Sequence, residues 1–216
     1  MKRVKSCFLL LLCMLAFEGC KEDRYVYPNV LTEFINIRTD QSGTLKELIT
    51  DQGEVLSVQH REGLSGLTPD SIYRTVSVYE RLEVSEEDDA YLYSSQLILA
   101  SLPLSADQFE TVKTDPLSIQ SIWKSGEYIN LVLLPMVKDK PHAFHFIDQG
   151  ITEANGKRTL NLTLYHDRNN DIEAFTRKVY LSIPLWGYKE VLEKGDQVVV
   201  QINTYEEGMT TRCFTY

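Results

Sequence analysis

The sequence predicts an all-β protein in which a small N-terminal OB-like barrel is followed by a C-terminal antiparallel β-sandwich. Twelve Tyr and eight Phe among 216 residues suit β structure, because large flat side chains pack well on a pleated surface. Turn clusters rich in Gly, Asp, Asn and Ser separate short apolar runs along the chain. From about residue 115, apolar and polar residues alternate almost regularly, which is typical of strands with one buried face.

The first 19 residues have the pattern of a secretory signal peptide. Three cations within residues 1–5 precede an eleven-residue apolar run at residues 7–17. A membrane-spanning helix needs about 20 apolar residues to cross roughly 30 Å of hydrocarbon, so this run is too short to be one. Residues 1–19 are therefore predicted to be cleaved from the mature protein.

The end of this segment resembles a bacterial lipoprotein signal, in which a small residue precedes a cysteine that receives lipid. Gly19 and Cys20 fit that pattern, whereas Phe17 and Glu18 replace the aliphatic and small residues that it prefers. The resemblance implies a lipid-modified Cys20 that anchors the protein to the outer membrane of the cell envelope. The Lys-Glu-Asp sequence at residues 21–23 resembles the export signal of Bacteroidota surface lipoproteins, which slightly favours the cell surface over the periplasmic face.

The mature chain divides into two predicted domains. Residues 20–29 form a tether, residues 30–104 the OB-like domain, residues 105–114 a linker and residues 115–216 the sandwich. Five β-type runs in about 75 residues suit a small barrel of the OB kind; they cover residues 30–37, 45–50, 54–58, 72–84 and 91–104. In the fourth run, the apolar residues Ile72, Val76, Val78 and Leu82 share one strand face, which Arg74 and Glu80 interrupt.

A hairpin at residues 115–136, folded at Ser125-Gly126-Glu127, opens the second domain. Its second strand is apolar on both faces, so it is predicted to be central in its sheet or to lie at the interface between the domains. Two short helical segments are also expected. One is a turn at residues 105–108, which has the spacing of a capping box, and the other covers residues 188–194 before Gly195.

This hairpin carries a resemblance to a known family. The pattern Asp-Pro-Leu-x-Ile-x-x-Ile-Trp-x-x-Gly-x-Tyr-Ile-Asn-Leu at residues 115–131 resembles the signature region of the NigD-like lipoproteins of Bacteroidota. The sequences at residues 162–167 and 179–185 also resemble that family. The resemblance implies an OB-like domain followed by a β-sandwich. It also implies a role in bacteriocin immunity, and it transfers no catalytic residues.

Charge and cysteine content exclude several functional classes. The full chain has a net charge of −9. Removal of residues 1–19 leaves 19 basic and 30 acidic residues, a net charge of −11, which repels phosphate backbones and argues against nucleic-acid binding. Cys213 is then the remaining cysteine besides Cys20, so no intramolecular disulfide is expected within the folded part. Its strand-like surroundings predict a small buried residue.

The polar motifs predict no catalytic, cofactor or metal site. His142 and His145 stand three apart in a strand, hence on opposite faces, and are expected to be partly exposed strand histidines. Residues 167–171 imitate the start of a calcium loop, but Ile172 and Lys178 replace its essential Gly and Glu, so a polar turn is predicted instead. The sequence therefore favours a protein that is not an enzyme.

Aromatic residues are the candidates for contact with a ligand. On the barrel, four tyrosines could form an aromatic face: Tyr73, Tyr79, Tyr91 and Tyr93. In the second domain the candidates are Trp123, Trp186 and Tyr188. Of these seven, Tyr91, Trp186 and Tyr188 are the specific ligand-contact predictions.

Two functional hypotheses follow from these features. The first is a non-enzymatic envelope lipoprotein that acts as a binding module for a protein partner, with an immunity-like role implied by the family resemblance. The second is a surface glycan-binding accessory protein, motivated by the predicted lipid anchor and by aromatic residues that could stack on sugars.

Overall fold

The computed structural model describes residues 29–82 and 89–216. The expected signal peptide, Cys20 and the tether up to residue 28 lie outside the described residues. Within the described part of the chain, no helix is long and apolar enough to cross a membrane.

The N-terminal domain is a closed barrel, as predicted. Its strands follow the order β1-β2-β3-β5-β4, and β4 returns to pair with β1. They are β1 (Val30–Thr39), β2 (Leu45–Ile49), β3 (Val55–Val58), β4 (Ile72–Leu82) and β5 (Asp89–Leu97). The β3–β5 pair is parallel and the others are antiparallel. Ile35, Leu48 and Tyr79 are fully buried in the barrel core.

The inward face of β4 differs from a simple apolar stripe. Thr75, Ser77 and Tyr79 point into the barrel and are fully buried. The hydroxyl groups of Thr75 and Ser77 lie 2.9 Å apart and bond to each other, which allows these polar residues to occupy the core. The apolar residues that share a face with Ile72 and Arg74 therefore lie on the outer face of the barrel, where Ile72 is 58% exposed.

The C-terminal domain is a β-sandwich. Its strands are β6 (Leu104–Ser105), β7 (Ser118–Ser125), β8 (Tyr128–Leu134), β9 (Met136–Val137), β10 (Ala143–Ala154), β11 (Lys157–Asp167), β12 (Phe175–Thr176), β13 (Val179–Pro184), β14 (Gln197–Thr204) and β15 (Gly208–Thr215). One sheet has the order β15-β14-β11-β10-β6, a second has the order β13-β8-β7, and β9 pairs with β12. Apolar residues from both sheets form a single buried core between them.

Most sandwich pairings are antiparallel, but two are parallel. These are β6 with β10 and β11 with β14. After β11 the chain pairs β12 with β9 and β13 with β8 before β14 returns beside β11, and such a crossover connection permits parallel pairing. The predicted alternation is confirmed on β11 and β14, where Leu160, Leu162, Val198 and Val200 are fully buried.

The predicted hairpin is formed by β7 and β8. The strand β8 is the centre of its three-stranded sheet, as expected from its two apolar faces. Ile129, Leu131 and Leu133 belong to the sandwich core. Asn130 points to the opposite side and bonds to Arg74 of the barrel, so the strand also lies at the domain interface.

Two local predictions are wrong, and a third is confirmed in part. Residues 188–194 form turns that follow a 3-10 turn at Trp186–Tyr188, not a helix. The Asp196 carboxylate there accepts bonds from the backbone N–H groups of Glu193 and Arg158, which favours a turn. The helical turn expected at residues 105–108 is present as a 3-10 turn over Ala106–Gln108, although Ser105 bonds to the Asp107 side chain and does not cap the backbone. Cys213 is exposed on the outer strand β15, not buried.

The segment between the two domains is hydrogen-bonded to the sandwich. Leu99 forms a parallel bridge with Leu181, and its carbonyl accepts a bond from the Ser182 N–H at 2.9 Å. Hydrogen bonds to the sandwich therefore begin at Leu99, five residues before the end expected for the first domain. The connection between barrel and sandwich is consequently short.

Candidate functional site

A buried arginine joins the two domains. Arg74 of β4 and Asp51 of the β2–β3 turn have side chains that are only 2% and 5% exposed. The Arg74 Nη1 and Nη2 atoms donate to the two Asp51 carboxylate oxygens at 2.5 and 3.0 Å. This bidentate geometry is the strongest arrangement available to an arginine and a carboxylate.

The remaining donors of Arg74 bind the sandwich and a neighbouring barrel strand. Nε donates to Ser182 Oγ at 3.2 Å, Nη2 to Asn130 Oδ1 at 2.9 Å and Nη1 to Asn36 Oδ1 at 3.4 Å. The guanidinium carbon also lies 3.9 Å from the ring centroid of Tyr128. All five N–H groups thus have acceptors, which offsets the cost of burying the charge. We call these residues the joint: Asn36, Asp51, Arg74, Tyr128, Asn130 and Ser182.

The sandwich hairpin also touches the barrel through its turn. Gly126 has φ +51°, and a Cβ atom built on it would lie 2.3 Å from the carbonyl oxygen of Asp51. Glycine is therefore needed both for the left-handed backbone and for the close approach of the two turns. The contact fixes the β7–β8 turn against the β2–β3 turn beside the joint.

An open cleft of about 230 Å³ lies beside the joint, between the two domains. From the barrel it is lined by Thr32, Glu33, Phe34, Asp51, Gln52 and Val76. From the sandwich it is lined by Trp123, Ser125, Asn130 and Tyr180. Strand pairing explains this set, because Trp123 and Ser182 both lie opposite Asn130 on the face turned toward the barrel.

Three aromatic rings and Val76 form the apolar part of the cleft. Phe34 meets Trp123 at a centroid distance of 5.1 Å with an interplanar angle of 87°. It meets Tyr180 at 5.8 Å and 76°. These edge-to-face contacts hold the Phe34 ring at nearly a right angle to each of the other two rings. Trp123 is still 36% exposed, so part of its surface is available to a ligand.

The charge of the cleft is negative. Glu33 is exposed, and its Oε2 accepts a 2.6 Å bond from the hydroxyl of Tyr79. Burial, with a further contribution from Glu33, raises the pKa of Tyr79 to about 12, so this phenol remains a neutral donor at physiological pH. The Asp51 charge is matched by Arg74, and no cation is among the described residues that line the cleft. Arg81 interacts with the Tyr79 hydroxyl from outside this lining, but its own charge is paired with Glu54.

A second cavity of about 330 Å³ also borders Asp51 and Gln52. It is lined by Asn36, by residues 49–53, and by Glu127 and Tyr128. Tyr128 is the aromatic residue in this lining, and its ring already lies against the Arg74 guanidinium. The aromatic cleft is therefore the better candidate for a ligand site.

The tyrosines of the barrel do not form the exposed aromatic face that the sequence suggested. Tyr79 is fully buried, and the Tyr73 hydroxyl accepts a bond from the Thr68 N–H at 3.0 Å. Tyr91 meets Tyr93 edge-to-face at 5.0 Å, and Arg61 lies 5.9 Å from the Tyr91 ring centroid. Tyr91 does not line the cleft, and its role as a ligand contact stays a prediction.

The other predicted contacts lie elsewhere on the sandwich. Trp186 is 46% exposed and lines a separate pocket of about 90 Å³ that includes Lys189 and Glu127. The Tyr188 hydroxyl donates to Asp148 at 2.8 Å, and burial together with that bond raises the Tyr188 pKa. Their contact with a ligand also stays a prediction. Trp123 is the aromatic candidate from the sequence that lines the cleft.

The cleft and the joint contain residues that sequence reasoning missed, among them Phe34, Asp51 and Tyr180. Arg74 carried a usable signal, because a charge interrupting an apolar strand face must either reach solvent or find a buried partner. The neighbouring residues in the sequence do not indicate whether Arg74 reaches solvent or a buried partner. Its acceptors Asp51, Asn130 and Ser182 are 23, 56 and 108 residues away along the chain.

Two buried histidines form a separate polar chain in the sandwich. The imidazole of His142 is only 4% exposed, so it is more buried than expected, whereas His145 is partly exposed as predicted. His142 Nδ1 lies 2.9 Å from His166 Nε2, and His166 Nδ1 lies 2.7 Å from the Asp115 carbonyl oxygen. Because a carbonyl only accepts, His166 Nδ1 carries a proton and neutral His166 accepts at Nε2.

The far end of this chain faces a carboxylate. His142 Nε2 is buried without a hydrogen bond and lies 3.5 Å from Asp171 Oδ2. Burial raises the Asp171 pKa, but backbone N–H donors led by Lys138 and Asp139 outweigh it and hold that pKa well below its usual range. No group of three or more His, Cys, Asp or Glu residues in the described ranges is placed to hold a metal ion.

Taken together, these features define a two-domain all-β protein whose barrel and sandwich are joined by a buried arginine and enclose an aromatic cleft. Residues 100–216 match the family model of the NigD-like C-terminal beta sandwich domain. The chain belongs to this NigD-like family.

Solved structures share the whole two-domain architecture. A NigD-like immunity protein from Bacteroides caccae is 31% identical with a TM-score of 0.74, and the match covers 89% of this chain and 99% of that one. A protein of unknown function from Bacteroides vulgatus is 19% identical with a TM-score of 0.69, covering 87% of this chain and 91% of that one. No curated protein matches the chain.

Proposed function

We propose that this protein is a non-enzymatic envelope lipoprotein that binds a protein partner in the cleft between its barrel and its sandwich. The observation that carries the proposal is the cleft itself, which combines three aromatic rings with an exposed carboxylate. Partly exposed Trp and Tyr residues in a well-formed concavity are the side chains that dominate protein interfaces. The joint keeps the two walls in one arrangement, which reduces the entropy lost on binding.

The partner that best fits this family is a bacteriocin. The structural relative that is 31% identical over 89% of this chain is described as an immunity protein. An immunity protein works by binding its toxin, and a rigid two-domain binding module suits that task. On this proposal the toxin contacts the aromatic cleft and its rim.

The proposed location is the outer membrane, through lipid on Cys20. The short apolar run at residues 7–17 and the Gly19-Cys20 pair support this anchor. Each acyl CH₂ buried in the bilayer contributes about 0.8 kcal/mol, so several chains give a nearly permanent attachment. A position on the cell surface would place the cleft where an incoming toxin first meets the cell.

Deletion of the gene tests this function. The deletion strain should become more sensitive to at least one bacteriocin-producing sibling strain. The wild-type gene should restore resistance, whereas a Trp123→Leu variant should not. Trp186→Leu is the matched control, because it removes a comparably exposed tryptophan outside the cleft and should restore resistance fully.

Unchanged sensitivity of the deletion strain to every producing strain would refute the immunity role. A different result would support the glycan hypothesis. Binding of the purified protein to oligosaccharides, lost in Trp123→Leu and kept in Trp186→Leu, would assign the cleft to a sugar and not to a protein.

A further inference from the structure

We infer that the cleft binds the side chain of an arginine supplied by the protein partner. This inference rests on the proposed function and names the chemical group that the cleft recognises. Four observations support it: the size of the cleft, the arrangement of its rings, its charge, and the way in which this chain already holds a guanidinium group.

The cleft volume suits one side chain. Pockets for drug-sized ligands have volumes of about 300–1,000 Å³. At about 230 Å³ the cleft lies below that range, so an oligosaccharide or a cofactor would leave most of its surface outside. A single long side chain that projects from a partner protein could enter between the walls while the rest of the partner contacts the rim.

The rings are arranged as a corner and not as a flat platform. Phe34 stands at 87° to Trp123 and at 76° to Tyr180. A small cation placed in such a corner can meet more than one ring, and the negative face of each ring attracts it. A guanidinium group is planar and can also stack on a ring.

The charge of the cleft favours a cation. Glu33 is exposed at the cleft, and its Oε1 is left to accept a bond from a ligand while Oε2 holds Tyr79. The whole chain carries a net charge of −9. This field attracts a basic partner and speeds its association, whereas a neutral sugar would gain nothing from it.

The joint shows which groups this protein uses to hold a guanidinium. Arg74 is bound by a carboxylate, by amide oxygens and by the face of an aromatic ring. The cleft, whose lining includes Asp51 of the joint, presents the same types of group, namely the Glu33 carboxylate, the Gln52 amide and the three rings. An arginine from a partner would therefore meet surroundings similar to those of Arg74.

Fluorescence of Trp123 provides a direct test. The chain has two tryptophans, so a Trp186→Phe variant leaves Trp123 as the single reporter. The probe is Nα-acetyl-arginine amide, titrated at low salt into the mature soluble protein, residues 20–216 with Cys20 replaced by Ala. We expect a saturable change in Trp123 emission, weaker binding of Nα-acetyl-lysine amide, and no saturable change with Nα-acetyl-citrulline amide, which has the same shape without the charge.

A charge variant checks the role of Glu33. Glu33→Gln should weaken binding of the arginine probe about tenfold, which corresponds to about 1.4 kcal/mol. The substituted amide can still accept the Tyr79 bond, so the local packing should be kept. Glu47→Gln is the control, because Glu47 is paired with Arg38 on the barrel surface and does not line the cleft.

The inference fails if the citrulline probe binds as well as the arginine probe, if no probe gives a saturable change, or if Glu33→Gln leaves the affinity unchanged. Saturable binding of maltotriose or of an N-acetylglucosamine oligomer to the same cleft, without arginine binding, would also overturn it. Failure of the arginine probe together with Trp123-dependent resistance in cells would remove the ligand class and leave the proposed function intact. Arginine binding by the purified protein, together with unchanged sensitivity of the deletion strain, would refute the immunity role and leave the arginine inference intact.

Discussion

The guanidinium of Arg74 and the carboxylate of Asp51 form a buried bidentate ion pair, with N···O distances of 2.5 and 3.0 Å, at the junction of the two domains. Both partners come from the barrel, yet the pair is completed by Asn130 and Ser182 of the sandwich. Separation of the domains would expose the pair to water and break these bonds. The ion pair thus links the stability of the barrel to its docking on the sandwich.

Substitution of Arg74 should destabilise the protein severely. In Arg74→Met, Asp51 keeps its charge in a buried site without its partner, which costs about 3–5 kcal/mol of unfolding free energy. Arg74→Lys should also be destabilising, because a lysine cannot reproduce the five-donor fork. Urea denaturation gives the unfolding free energy of each variant for comparison with the wild type.

The control for this prediction is Arg38→Met. Arg38 pairs with Glu47 at 2.6 Å, but the two side chains are 45% and 31% exposed. Loss of such a surface pair costs less than about 1 kcal/mol. Similar losses for Arg74→Met and Arg38→Met would contradict the central role of the joint.

Substitution of Gly126 should destabilise the protein by more than the strain of a left-handed backbone, because the added side chain also clashes at the junction of the domains. Gly126→Ala adds a Cβ atom 2.3 Å from the Asp51 carbonyl oxygen, so the two turns must separate. Gly156→Ala is the matched control, because Gly156 also has a positive φ, +71°, but a Cβ there meets no atom within 4 Å. The control should show only the left-handed strain, about 1–2 kcal/mol.

Thermal unfolding and Trp123 emission distinguish these two glycine variants. Gly126→Ala should lower the melting temperature further than Gly156→Ala does, and it alone should shift the emission of Trp123 by moving the cleft wall. Equal melting temperatures and equal spectra would show that the contact between the turns is unimportant.

The buried histidine chain should make stability depend on pH. Burial lowers the pKa of His166 below its ordinary value of 6.5, so the unfolded chain binds more protons than the folded one below that pH. Stability should therefore fall as the pH drops from about 6.5 toward the lowered pKa of His166, and this contribution to stability should be constant above pH 6.5. A protonated His166 would also lose the Nε2 acceptor that His142 uses.

The urea midpoint measured between pH 5 and pH 8 tests this dependence. His166→Gln removes the titrating group and should flatten the profile, even if the variant is less stable throughout. His145→Gln is the control, because His145 bonds to Ser101 and not to the histidine pair. A profile for His166→Gln as steep as that of the wild type would exclude His166 as the source.

The membrane anchor should depend on Cys20. Cys20→Ala removes the sulfur that lipid would modify, so the variant should move from the membrane fraction to the soluble fraction. Cys213→Ala is the control, because Cys213 is an exposed thiol on β15 with no lipoprotein signal before it. Membrane association of Cys20→Ala equal to that of the wild type would rule out the lipid anchor.

Much of the fold was predictable because strands alternate with a period of two. The pattern at residues 160–164 and 198–202 identified the buried residues of β11 and β14 correctly. It also identified β8 as a strand covered on both faces. The same pattern could not say which face of β4 points inward, because Thr75 and Ser77 are polar and become acceptable in a core only when their hydroxyl groups bond to each other.

The candidate site was much less predictable. Trp123 was recognised as a possible contact, but its neighbours Phe34 and Tyr180 are distant from it in the chain and were not. Cys213 and the segment at residues 188–194 were misjudged for a related reason. Cys213 lies on the edge strand β15, and its neighbour Phe214 takes the face that packs against the core. In residues 188–194 the Asp196 carboxylate accepts the Glu193 N–H and favours a turn.

The all-β architecture and the family were predictable from the sequence alone, because they depend on the order and spacing of neighbouring residues, and the same local patterns carry the expectation of a membrane anchor. The burial of Arg74 and the aromatic cleft beside it depend on the tertiary structure. A charge on a strand face is compatible with solvent exposure or with burial, and the balance depends on whether acceptors such as Asp51 and Ser182 arrive from 23 and 108 residues away. Folding of the chain brings those acceptors to Arg74, and the local sequence pattern does not predict this approach.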